Sequence, residues 1–138
     1  MAWGTAMPGA RAEWMRRAAV VVVLGLAAAH AEAVATLVDI AWDARGRFRH
    51  SAPLPAGQVL EVCGRLQAGV VVAWRHDTSV PVAFNIHYHV GQDVVYPVQV
   101  ASTRGGADRL RVTQEQDYCW MWTNKTGGAA TVTLELQR

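Results

Sequence analysis

The chain has 138 residues, 51% of them hydrophobic, with 13 Lys and Arg against 11 Asp and Glu. That length allows one domain with a useful core once any leader is removed. The near-neutral balance gives no electrostatic reason to expect a nucleic acid or an anionic membrane as partner.

The first element in chain order is a leader. Met15-Arg16-Arg17 precedes the apolar run AAVVVVLGLAAA, Ala18 to Ala29, which closes on the small-residue site Ala31-Glu32-Ala33. A basic start, a short apolar run and an A-x-A end are the pattern of a secretory signal peptide. Residues 1–33 are therefore expected to be that signal, with Met15 a candidate true start and Ala29-His30-Ala31 a second cleavage choice. A membrane-spanning helix needs roughly 20 apolar residues, whereas His30 and Glu32 interrupt this run. The protein is expected to be periplasmic or secreted, with no stable membrane span after cleavage. The bias to Arg, Ala and Val, with Lys125 the one lysine after the signal, reads as bacterial.

The remaining residues, 34–138, carry ten Lys and Arg against nine Asp and Glu. They show no helical stripe. Short β-rich runs recur instead: 36–42, 58–66, 69–76, 81–89, 93–100, 109–114, 117–124 and 130–137, separated by turn residues such as Asp77-Thr78-Ser79, Gly91-Gln92, Gly105-Gly106 and Gly127-Gly128. The expectation is an all-β fold: an antiparallel β-sandwich of about eight strands. Residues 34–57 read as an N-terminal strand and a crossover loop, and 58–138 as the sandwich core. Val94, Tyr96, Val98 and Val100 alternate as one inward set, with Pro97 marking an edge, and Arg104–Arg109 reads as a surface loop.

Two cysteines, Cys63 and Cys119, occur in the whole sequence. In an oxidising compartment such a pair is expected to form a disulfide, the alternative being a copper-binding thiolate.

The stretch from Gln116 to Asn124, QDYCWMWTN, followed by the closing strand VTLEL at 132–136, resembles the last two strands of a GOLD (Golgi dynamics) domain. That family shows a tyrosine, a cysteine, an aromatic and an asparagine before a final hydrophobic strand. The resemblance covers residues 58–137, though HYH at 87–89 and WMW at 120–122 are not part of the family pattern. It implies a jelly-roll-like, GOLD-like sandwich that binds a protein or ligand, with Cys63 bridged to Cys119.

The chemistry-bearing feature is FNIHYHVG at 84–91. Side chains alternate along a strand, so His87 and His89 project to one side, roughly 6.5–7 Å apart along the backbone. With Met121 close by, the pair would suit copper, and Trp120 or Trp122 could cover the ion through a cation–π contact. A second reading makes Asn85, His87, His89 and Asp93 a polar ligand face bordered by Tyr88 or Tyr96. A third makes it plain polar surface. No hydrolase elbow, zinc-protease helix or phosphate loop is present. The expected function is thus a non-enzymatic accessory domain of the cell envelope recognising an envelope protein or small ligand. The alternative is a periplasmic copper-binding protein using His87, His89 and Met121.

Overall fold

The computed structural model describes residues 33–138; the signal-peptide expectation for 1–33 lies, Ala33 apart, outside the described residues. Seven strands follow one another: β1 Ala35–Asp39, β2 Arg47–Leu54, β3 Val59–Leu66, β4 Val71–Val90, β5 Asp93–Arg111, β6 Gln116–Thr123 and β7 Ala130–Gln137. They connect in the order β1-β3-β6-β4-β7-β2, with β5 along β4. Every pairing is antiparallel except β1 on β3.

The connectivity becomes a sandwich because β4 bends. Its first part, Ala73–Thr78, pairs with β7, and its second, Ala83–His87, with β6. β5 follows it through both parts. One layer therefore holds β1, β3, β6 and the ends of β4 and β5 that meet at their hairpin. The other holds β2, β7 and the remaining halves of β4 and β5. Rings meet across the layers: Phe84 lies 5.4 Å from Trp74 and Trp122 lies 5.7 Å from His76. The core is built from the inward residues of both, including Leu60, Val62, Ile86, Trp120, Val132 and Leu134. Its aromatic members supply large buried areas to a small domain.

Three sequence expectations are corrected here. The runs 69–76 and 81–89 are one strand, and so are 93–100 and 109–114. Asp77-Thr78-Ser79 marks the bend, not a turn: the register with β5 shifts between Asp77 and Val82, and Pro81, which has no N–H to lend a ladder, falls in that gap. Arg104–Arg109 belongs to β5 and is not a loop. Gly105 sits there because a Cβ would lie 2.8 Å from the His76 carbonyl oxygen, whereas one on Gly106 would make ordinary contact with Trp74 and His76.

The crossover expected within 34–57 contains a full strand. β2 pairs with β7 over eight residues, from Arg47 opposite Gln137 to Leu54 opposite Ala130. It is an edge strand, so Pro53 is tolerated, and its outward side is polar: Arg49 pairs with Glu135 at 3.0 Å and Ser51 meets Thr133 at 3.3 Å.

The β4–β5 hairpin closes through Gly91-Gln92, with Val90 opposite Asp93. Gly91 has φ 61°, which places the one left-handed residue first in the turn, as a type II′ connection requires. At the far end of the chain, buried Asn124 donates to the Leu54 and Gly128 carbonyls and accepts from Thr126. These bonds set the β6–β7 turn.

Candidate functional site

The outward face of the first layer can be assembled from register alone, because directly paired residues project to the same side. Glu61 on β3 faces Met121 on β6, which faces Asn85 on β4 and then Gln99 on β5. In the next row Cys63 faces Cys119, which faces His87. His89 faces Val94 near the hairpin tip.

His87 and His89 share this face as expected, with ring centroids 5.4 Å apart. They differ in exposure. His89 is exposed, while His87 is 5% exposed, with the Tyr96 ring 5.8 Å away. Asn85, also buried, places its side-chain oxygen 2.8 Å from His87 Nδ1. An amide oxygen can only accept, so Nδ1 carries the proton and Nε2 keeps its lone pair. Burial pushes the His87 pKa below the ordinary histidine value, against the opposing pull of Glu61, and His89 adds to the lowering. The imidazole is therefore held neutral at physiological pH.

Cys63 and Cys119 are joined in a disulfide, so in this form neither offers a thiolate. Met121 stands on the histidine face, one row from His87. Glu61, which the sequence reading passed over, stands there too. Alternation from Cys63 two residues later could have signalled it.

Other expectations fail for reasons of parity. Trp120 and Trp122 project into the core and are fully buried, so they cannot cover an ion on the opposite face. Tyr88 is buried against Tyr118, 4.7 Å away, which leaves Tyr96 as the bordering tyrosine. Asp93 pairs with Val90, not His89, and so lies on the other side of the hairpin from Asn85, His87 and His89. The register between β4 and β5 shifts again between Ile86 and Tyr88. This bulge at Tyr96-Pro97 splits the expected inward set: Val98 and Val100 face the core side, whereas Val94 and Tyr96 face out with the histidines.

The bulge has a consequence at the tip. Val90, Val94, Val95 and Tyr96 are all 37–44% exposed. Val94 and Tyr96 project from one side of the ribbon, Val90 and Val95 from the other. Beyond β4, the second edge of β5 has no strand partner among the described residues.

A second feature is a hollow of about 790 Å³ beside β2, β4 and β7, lined by Phe48, Trp74, Leu136 and several charged residues. Its charges pair among themselves and with neighbours: Arg49 with Glu135, Arg47 with Asp43 at 3.3 Å, and Arg75 with Asp77 at 3.3 Å. Within the core, His76 accepts a hydrogen bond from Trp122 Nε1 at 3.1 Å.

No protein-family profile matches the chain, and no curated protein is significantly similar to it in sequence. Solved structures do resemble it. PliG of Aeromonas hydrophila, a periplasmic inhibitor of g-type lysozyme, aligns at TM-score 0.55 and 12% identity over 78% of this chain and 98% of its own. The pre-peptidase C-terminal domain of a collagenase from Bacillus anthracis aligns at 0.54 and 10% identity, over 75% and 94%. PliG of Salmonella Typhimurium, also a periplasmic g-type lysozyme inhibitor, aligns at 0.51 and 13% identity, over 73% and 96%. At these identities the likeness is one of fold: an all-β sandwich.

Proposed function

We propose that this protein is an exported, non-enzymatic domain that binds another protein through the tip of the β4–β5 hairpin. The observation that carries the reading is the exposed apolar side chains on both sides of the hairpin tip, Val94 and Tyr96 on one and Val90 and Val95 on the other, on a ribbon whose outer edge is open. Exposed apolar patches rimmed by polar groups are typical of protein contact surfaces, and His89 supplies such a polar neighbour. Asn85 and His87 lie behind it as a buried support. Asp93, on the reverse side, contributes to the rim.

The leader-like residues 1–33 and the disulfide support export, and the periplasm is the compartment named for the two lysozyme inhibitors of like fold. Within the sandwich class, the bridge from β3 to the penultimate strand favours a GOLD-like arrangement for residues 58–138, with 34–57 as the leading segment. Those same inhibitors make a g-type lysozyme the first partner to try. Val95→Asp and Tyr96→Ala are expected to weaken that complex by roughly tenfold or more each, as read by titration calorimetry. Unchanged affinity in both would contradict the hairpin as the contact.

A second reading is favoured by the register of Met121. A thioether beside two imidazoles selects Cu(I), and Met121 stands one row from His87 on the same face. The oxidised protein would then bind one Cu(I), and the His87→Ala/His89→Ala double variant none.

A further inference from the structure

The Cys63–Cys119 bridge lies in the middle of the outward face of the first layer, and its surroundings have more ligand character than a structural disulfide requires. An imidazole nitrogen of His87, the Cys119 sulfur and a carboxylate oxygen of Glu61 lie within 4.8 Å of one another. Glu61 Oε2 is also 4.0 Å from the Cys63 sulfur. We propose that this disulfide masks a metal site, and that its reduction uncovers a Cys63, Cys119, His87 and Glu61 set that takes Zn(II).

The geometry is close to what the ion needs. Tetrahedral zinc, with bonds of about 2.3 Å to sulfur and about 2.0–2.2 Å to nitrogen and oxygen, holds its ligand atoms roughly 3.3–3.8 Å apart. The donors must draw together by about an ångström, while the two sulfurs move apart once their bond is broken. Their backbone is preset for this. The four residues stand on three adjacent strands, Cys63 and Cys119 directly opposed with Cα atoms 4.1 Å apart and His87 opposite Cys119.

The group that would orient the His87 ring is in place as well. Metal-bound histidines commonly give their other ring N–H to an oxygen acceptor, which fixes the tautomer. Here Asn85 occupies Nδ1 of His87 and leaves Nε2 for the ion. Both Asn85 and His87 are more than nine-tenths buried. Two thiolates, an imidazole and a carboxylate in tetrahedral reach suit zinc over the harder cations.

The chemistry balances with a dithiol as reductant. Its two electrons and two protons break the Cys63–Cys119 bond to give two thiols, and the dithiol itself becomes a disulfide. Zn(II) then displaces both thiol protons. This site is independent of the hairpin's partner. It also differs from the copper reading, which uses the oxidised protein with His89 and Met121.

The test is a zinc titration of the whole protein, oxidised and phosphine-reduced, in competition with a chromophoric chelator. Near-UV circular dichroism follows the tryptophan core, and Co(II) serves as a spectroscopic substitute. One zinc per chain is expected in the reduced form and none in the oxidised form, with thiolate-to-cobalt charge-transfer bands. Glu61→Gln and His87→Gln should each weaken binding roughly tenfold or more, and His89→Ala and Met121→Leu should leave it unchanged. Three results would overturn the proposal: equal binding in both redox states, binding indifferent to Glu61 and His87, or a reduced protein that lacks the native tryptophan signal at saturating zinc.

Discussion

Replacing Cys63 and Cys119 together by alanine is expected to lower the unfolding free energy by about 4 kcal/mol, since the bridge closes a loop between residues 56 positions apart. The effect lies mainly in the unfolded chain, which regains the freedom that the cross-link removed. Against a net stability of roughly 5–15 kcal/mol for a domain of this kind, the loss leaves a marginal fold. The native contacts argue for a loss of this size and no larger. Cys63 and Cys119 face outward from the first layer, and the β3–β6 ladder around them continues from Val59–Thr123 to Leu66–Gln116 without the bridge. Urea unfolding of the double variant should show a midpoint lower by about 2 M, with little change in the native tryptophan spectrum. A midpoint shift under about 0.5 M would show that the bridge constrains little that the ladder does not already hold.

The second large effect concerns pH. His76 projects into the core between Trp74, Phe84 and Trp122, with its ring 4.1 Å from Phe84, and is 1% exposed. Burial pushes its pKa down from 6.5 to about 4, against the opposing charge of Asp77. Protonation is therefore easier in the unfolded chain than in the folded one. Between pH 6.5 and 4 the unfolded state holds the extra proton, so stability falls as the solution is acidified and levels off below 4. The shift corresponds to about 3 kcal/mol. His87 adds a loss of the same sign from its own lowered pKa. Asp43, held below its ordinary value first by the Arg47 backbone N–H, adds one only at lower pH, as it protonates. His76→Gln removes the titration and retains an acceptor for Trp122 Nε1. Denaturation curves at pH 7.5 and 4.5 should thus converge in this variant far more than in the wild type. If both proteins lose stability equally over that interval, His76 is not the buried base described here.

His76 also shows where the sequence was readable and where it was not. Val70, Val72 and Trp74 alternate onto one face, and the same alternation carried two residues further places His76 in the core. Arg75 and Asp77 on either side made the stretch look polar. The strands at 117–124 and 130–137 were legible because their two faces differ sharply: Trp120 and Trp122 against Cys119 and Met121, and Val132, Leu134 and Leu136 against Thr131, Thr133 and Glu135. β2 was hidden because an edge strand needs only one apolar face, and Arg47, Arg49 and Pro53 dominate its composition. The bend of β4 and the bulge at Pro97 were hidden for a different reason. A proline or a glycine pair reads locally as a turn, and only the neighbouring strand shows whether pairing continues through it.

At the candidate site, the shared face of His87 and His89 and the pairing of the cysteines follow from alternation and from cysteine count. That Asp93 lies on the reverse side does not, because it depends on a hairpin register set by Gly91-Gln92 and the bulge beyond it. Nor could local pattern show that His87 is buried while His89 is open, since that depends on the strands flanking β4.

The most direct measurement of the central claim is hydrogen exchange on the oxidised protein, free and saturated with a g-type lysozyme. The account predicts that lysozyme slows exchange at residues 90–100, on the hairpin tip and the open edge of β5, and leaves β2 and β7 unchanged. No complex, or protection confined to the β2–β7 layer with the hairpin unaffected, would contradict it.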